Sequence, residues 1–407
     1  MRRVTWSLLL LFVFTIPWEY SLDLGAPLGN IARIAGLLLL LVAIPAVLQA
    51  GRLRNPGPLL WLLLALYLWF CCTYFWTIDP QATLDRMRAY FQEMMTVWLV
   101  WEFAENPRDL RALLRAWLAG AWVLAILTVA NFASAQPVAS GQIRFAAVGQ
   151  DPNDVARFLD LGFPIAALLL DWEPRWPGRL LALGYLPLGL AAVLLTASRG
   201  GFVAAVAAFT GCGVLLFRNH MRGVVAGLLG LPMVAVALWF AAPHETLGRL
   251  TTIAGQVRGG DLNQRLNIWV AGWHAFVQAP FFGHGAGAFV NAAGLSPIDT
   301  AHNTALSILV EGGICAFVLA FGLVVMSARS ALETRGSLRI ALLTLLLVWV
   351  ISSLVGTLAE SRTTWLLLAV IALAARIARE QPERLAFASF TPTGPDGLGA
   401  APAGYPG

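Results

Sequence analysis

Along the chain, apolar runs long enough for membrane-crossing helices alternate with short polar breaks. A helix that crosses the hydrocarbon core of a bilayer needs about 20 mostly apolar residues. Twelve runs meet or approach that length: 5–18, 31–49, 57–76, 89–104, 110–132, 155–171, 180–196, 202–217, 223–241, 302–327, 339–357 and 363–379. The first and fourth are short, so eleven is the alternative count. Most breaks are short, but residues 242–301 form a loop of about 60 residues. A loop that long in a compact protein usually carries function. It is also patterned. Leu266, Trp269, Val270, Trp273, Phe276 and Val277 recur at helical spacing and predict an amphipathic helix over 263–278, stopped by Pro280. Such a helix lies on the membrane or caps the bundle. A weaker pattern predicts a second helix from Glu245 to Val257.

Composition narrows the class to one. Of 407 residues, 58% are hydrophobic and 12% charged, with a mean hydropathy of +0.73. A typical soluble domain carries about 25% charged residues. The chain therefore reads as an all-α polytopic membrane protein. Soluble multidomain, disulfide-scaffold and nucleic-acid-binding classes are excluded as main readings. Cys71, Cys72, Cys212 and Cys315 all sit within apolar runs and read as small buried hydrophobes. Arg2-Arg3 and the run behind them imitate a signal peptide, but Pro17-Trp18-Glu19-Tyr20 replaces a small-residue cleavage site. That run is taken as the first span.

Charge then sets the orientation. All 27 basic residues are Arg, and the net charge is +5. With the N-terminus in the cytoplasm and the spans alternating, 17 of the 27 fall on the inside. This follows the positive-inside rule and puts both termini in the cytoplasm. Residues 1–380 read as a single transmembrane domain that includes the outer loop, and the Gly/Pro/Ala-rich 381–407 as a disordered tail. Ten Arg remain outside: Arg33, Arg86, Arg88, Arg144, Arg157, Arg199, Arg249, Arg258, Arg265 and Arg362. Some will snorkel or pair with acids. A cationic cluster at the outer face still needs an anionic partner, and the planar guanidinium fork suits the phosphates of a lipid-linked substrate.

Several outer motifs carry candidate chemistry. In Thr196-Ala197-Ser198-Arg199-Gly200-Gly201 the two Gly allow close backbone approach to a ligand, with Arg199 at the membrane boundary. In Gly149-Gln150-Asp151-Pro152-Asn153-Asp154, Asn153 or Asp154 is expected to cap the sixth span. Arg86 and Arg88 form either a phosphate clamp or an interface anchor. The Gly-rich Phe281 to Gly287 is not a dinucleotide fingerprint, because no strand precedes it. His302 stands where the outer loop enters the tenth span. Glu311 lies nine residues on, about 13 Å deeper at 1.5 Å per residue. An ionisable group inside a span is functional or packing-critical; pairing with a buried Arg or backbone donor is the plainer role.

As an ordered set these residues resemble the O-antigen ligase family of bacterial inner-membrane proteins, which shares its core with O-antigen polymerases. The resemblance rests on Thr196-Ala-Ser-Arg199-Gly-Gly, Arg265-x-x-x-Trp269, Pro280-x-x-Gly283-x-Gly285, and His302-Asn303 followed by Glu311-Gly312-Gly313. The twelve spans and the late outer loop match as well, over residues 5–380. The resemblance implies a GT-C-like fold. It also implies transfer of a glycan from an undecaprenyl-diphosphate carrier to a hydroxyl acceptor at the periplasmic face. A ligase uses the lipid A–core oligosaccharide as acceptor; a polymerase uses a second lipid-linked repeat unit. By the same resemblance Arg199 and Arg265 bind the diphosphate and His302 serves the acceptor hydroxyl. Position and chemistry add Arg86 and Arg88 to the diphosphate set, and Asn303, Trp269 and Glu311 as support.

The chemistry is consistent with those roles. Negative charge grows on the leaving diphosphate, and fixed Arg donors stabilise it where it develops. No outer D-x-D and no carboxylate cluster with ligand spacing is present, so no metal and no cofactor is expected. A neutral His302, with an ordinary pKa of about 6.5, would take the acceptor proton. Attack opposite the leaving group would invert the anomeric centre. Expected partners are the undecaprenyl-diphosphate-linked glycan, the lipid A–core acceptor and membrane lipids, with no nucleic acid. A polysaccharide or lipid transporter is the reading from another class, but the two halves show no internal repeat.

Overall fold

A computed structural model of the chain describes residues 2–25, 29–51, 53–135, 144–219, 248, 265–296 and 299–383. The predicted ninth span (223–241), the Glu245 to Val257 helix apart from Gly248, and the tail from 384 lie outside the described residues. The order is α1 (Arg2–Thr15) with a 3-10 turn (Ile16–Ser21), α2 (Ile31–Ala50), α3 (Pro58–Cys72), α4 (Pro80–Phe103), α5 (Pro107–Ala133), α6 (Pro152–Trp172), α7 (Trp176–Leu195) and α8 (Arg199–Asn219). Beyond the loop follow α9 (Arg265–Gln278), α10 (Phe289–Ala292), α11 (Thr304–Glu333), α12 (Gly336–Ser353) and α13 (Arg362–Glu380).

The helix starts follow from local chemistry. Proline has no N–H to lose at a first helical position, and its fixed φ suits a helix there. It opens α3, α4, α5 and α6. Asp79 caps α4, and Asn106 with Asp109 forms a capping box on α5. Asp151 caps α6, its carboxylate accepting from the Asn153 N–H at 2.7 Å. The capping residue is thus one position before the Pro, not the expected Asn153 or Asp154. Placing the cap there lets Pro152 occupy the first helical turn.

Among the described residues, eight helices are long and apolar enough to cross a membrane. Together with the absence of named strands among those residues, this fits an α-helical, multi-pass membrane protein. Three further long helices, α4, α6 and α13, are more polar than a lipid-facing helix. Packing explains this. α6 is enclosed by α5, α7, α8 and α12, and α13 by α4, α5, α11 and α12. Both are buried along nearly their whole length. Their polar groups meet protein, not lipid. Arg376 of α13, for example, donates to the Trp101 carbonyl at 2.7 Å and to that of Ala104, with its guanidinium 4.4 Å from the Trp101 ring centre.

α9 has two apolar faces. Ile268, Gly272 and Ala275 pack inward against Phe289 and Leu306, whereas Leu266, Val270, Trp273 and Val277 are exposed. The helix is a cap on the bundle that also offers an apolar outer stripe, so the two expected placements are combined.

Candidate active site

Three chain connections converge at one end of the bundle around a cavity of about 370 Å³. The start of α6 supplies Asp151, Asn153, Asp154 and Arg157. The α10–α11 link supplies Thr300 and His302. The α12–α13 link supplies Thr357, Leu358, Glu360 and Ser361, and Tyr20 closes the wall. The links are tied to one another. Thr304 donates to the Gly356 carbonyl at 2.7 Å and accepts from the Leu358 N–H at 2.9 Å. Asn303 caps α11 through the Leu306 N–H at 3.0 Å and donates to the Leu354 carbonyl at 3.3 Å.

His302 is held at this wall in a left-handed backbone conformation, φ 46°. That conformation is uncommon outside Gly and is found where surrounding structure enforces it, often at functional sites. The enforcing contacts flank it: the Trp269 indole donates to the Ala301 carbonyl at 3.1 Å, and Asn303 is fixed as the cap. Burial lowers the imidazole pKa, and Arg265 and Arg157 lower it further, while Asp151 and Asp299 oppose them. His302, Arg265 and Arg157 therefore form one electrostatic group.

Arg157 is the residue whose role the sequence did not reveal. It is buried, paired with Asp154, and its guanidinium lies against Gly356, where any Cβ would collide with it. Its Nε has no hydrogen-bond partner. The available signal was an Arg inside an apolar run, the same signal that singled out Glu311.

The Arg199 turn rests on the start of α6. Ser198 donates to the Asn153 side-chain carbonyl at 2.9 Å, and Arg144 donates to the same oxygen at 2.8 Å and to the Thr196 carbonyl at 2.9 Å. Asn153 thus links the turn to the cavity wall. Gly200 and Gly201 permit close approach of protein: a Cβ on the first would meet Val355 at 2.8 Å, and one on the second would overlap Ala156. The expected close approach to a ligand is taken up by these contacts.

Arg86 and Arg88 are not brought together. Residues two apart on a helix do not share a face. Arg86 is partly buried, 3.2 Å from Glu360 and 3.9 Å from Glu311. Arg88 is exposed and pairs locally with Asp85 at 2.9 Å. Glu311 is an anchor. Its carboxylate accepts from the Gly287 N–H at 2.8 Å and from Ser307 at 2.9 Å. It stands at a break in α11, where Gly313 has φ 67° and the loop 280–287 lays its backbone into the gap. The Ile314 N–H donates to the Pro280 carbonyl at 2.8 Å, and the His284 N–H to that of Val310 at 2.9 Å. Gly283, at φ 70°, lies so close that a Cβ would come 2.5 Å from the Glu311 carbonyl oxygen. Among the described residues no three His, Cys, Asp or Glu side chains converge as a metal-binding group.

Residues 184–321 match the model of the O-antigen ligase family. The match supports assignment to the O-antigen ligase/polymerase family. No curated protein matches the chain. In general terms the assignment brings glycan transfer of the ligase or polymerase type. The matched segment contains Arg199, Arg265, His302 and Glu311. The cavity groups Arg157 and Glu360, and Arg86 behind them, come from outside it.

Proposed function

We propose that the chain transfers an O-antigen-like glycan from undecaprenyl diphosphate to a hydroxyl of lipid A–core oligosaccharide, at the periplasmic face of a bacterial inner membrane. The observation that carries this reading is that His302 and Arg157 line one cavity at the helix ends of a multi-pass bundle, with the Arg265 charge acting on His302. In this reading His302 takes the proton of the acceptor hydroxyl, which attacks the anomeric carbon opposite the diphosphate and inverts it. The C–O bond to the diphosphate breaks, and the departing charge is stabilised by Arg265 and Arg199, with Arg157 beside them. No metal and no cofactor takes part. Trp269 and Asn303 hold His302 in place, and Arg86 and Glu311 support the wall and the 280–287 loop. Arg88 belongs at the rim. The architecture is a single GT-C-like transmembrane domain of about twelve helices over residues 1–380, with both termini cytoplasmic.

The test is reconstitution with an undecaprenyl-diphosphate-linked glycan, with and without lipid A–core, in EDTA. Glycan on lipid A–core supports the ligase. Lengthening of the glycan on its own carrier moves the assignment to polymerase, the alternative reading. His302→Ala is expected to lower kcat by about 10²–10⁴-fold and Arg265→Ala by about 10²–10³-fold. Full activity of His302→Ala would remove His302 as the base. No product from folded protein given several glycans would favour a transporter.

A further inference from the structure

The cavity has two unlike ends. At one end the charges of Arg157 and Arg265 act on His302, against those of Asp151 and Asp299, with Asp154 paired to Arg157. At the other end stands Glu360, whose side chain is 43% accessible although burial raises its pKa. It lines the cavity. Its cationic neighbour, Arg86, is shared with the Glu311 carboxylate. One guanidinium against two carboxylates leaves this end acidic. Beside Glu360 the wall offers the Tyr20 ring and the Ser361 hydroxyl, and the buried Thr357 hydroxyl oxygen has no hydrogen-bond partner. A buried, unpartnered hydroxyl in a cavity wall is a group waiting for a polar ligand atom.

We infer that the Glu360 end is an acceptor-sugar subsite that takes an uncharged sugar and rejects an anionic one. This rests on the transfer reading above and names what that site selects. Glu360 accepts hydrogen bonds from ring hydroxyls that do not react, Thr357 and Ser361 complete the set, and Tyr20 lies along the sugar face. A uronate or phosphorylated sugar would set its own charge against Glu360 with Arg86 already divided. The cavity volume, about 370 Å³, falls within the roughly 300–1,000 Å³ of small-molecule sites. Glu360 is a specificity residue in this account, distinct from the base.

The experiment uses the full chain in vesicles with the undecaprenyl-diphosphate-linked donor and two lipid A–core acceptors, one ending in a neutral hexose and one in a hexuronate. Wild type is expected to prefer the neutral acceptor. Glu360→Gln should raise KM for the neutral acceptor about tenfold, more than it lowers kcat, because a hydrogen bond to a charged group is lost. It should also raise kcat/KM for the uronate acceptor. Glu360→Asp, which keeps the charge, should keep the preference even if it is slower. A purely structural Glu360 would lower both acceptors together, and an unaltered acceptor ratio in Glu360→Gln overturns the inference. If Glu360→Gln does not fold, loss of the preference in Glu360→Asp overturns it equally. Wild-type transfer to neither acceptor would instead defeat the transfer reading, and the inference with it.

Discussion

Burial and the neighbouring guanidiniums disfavour the imidazolium form of His302, so its free base persists to lower pH than that of an ordinary His. In Arg157→Gln one of those cations is gone and the imidazole pKa rises. The acidic limb of the kcat/KM profile is expected to move to higher pH in that variant, whatever happens to its height. A limb that stays in place would show that Arg157 does not act on His302. His302 and Arg265 were singled out in the sequence by their motifs in and beside the long outer loop, and the fold brings the Arg265 charge to bear on His302. Arg157 was not, since its setting is made by Gly356 and Asp154 from different parts of the chain. The Arg86 and Arg88 pair looked like one feature and is two. Helical geometry alone separates them, while only the fold shows that Glu360 and Glu311 receive the first.

The break in α11 is an interlock between a helix and a loop. The gap at Gly313 accepts the 280–287 backbone, and a Cβ there would overlap the Phe281 carbonyl group. Gly313→Ala is expected to cost at least about 1–3 kcal/mol from the backbone conformation alone, and so to lower Tm in a thermal-unfolding measurement. An unchanged Tm would mean that the break is not locked. Asn303→Ala removes the cap of the same helix and should cost about 1 kcal/mol, with a further loss of activity because His302 is its neighbour. Retained activity in the face of a lowered Tm would separate the cap from the site. At this scale the apolar runs gave the helices well, including the 263–278 helix, seen as Arg265–Gln278. What they did not give was the direction of its inward face, because its small residues Gly272 and Ala275 carry little hydrophobic signal and pack most closely.

For the whole bundle, the distribution of Arg predicts a sidedness that labelling can check. In a background without the native cysteines, Phe281→Cys should react with an impermeant thiol reagent from the periplasmic side, and Arg335→Cys only after the inner face is opened. The reverse pattern would invert the topology and place the cavity in the cytoplasm. The runs that predicted α6 and α13 were read as spans only because charged residues were tolerated within them. By composition alone these two helices, with α4, do not qualify as spans. That exclusion bears on biogenesis. α6 carries Asp154, Arg157, Asp160 and Asp171, and a charged residue near the centre of an inserting helix costs roughly 2.5–3.5 kcal/mol. Alone it should fail to leave the translocon for lipid. It must wait there until its enclosing helices α7 and α8 have been synthesised, and enter the bilayer in their company. A glycosylation-mapping assay should accordingly find isolated α6 translocated through the membrane, and find it integrated once α7 and α8 follow. Synthesis of the site would then be a group event, with the cavity's cationic wall carried into the membrane by its neighbours.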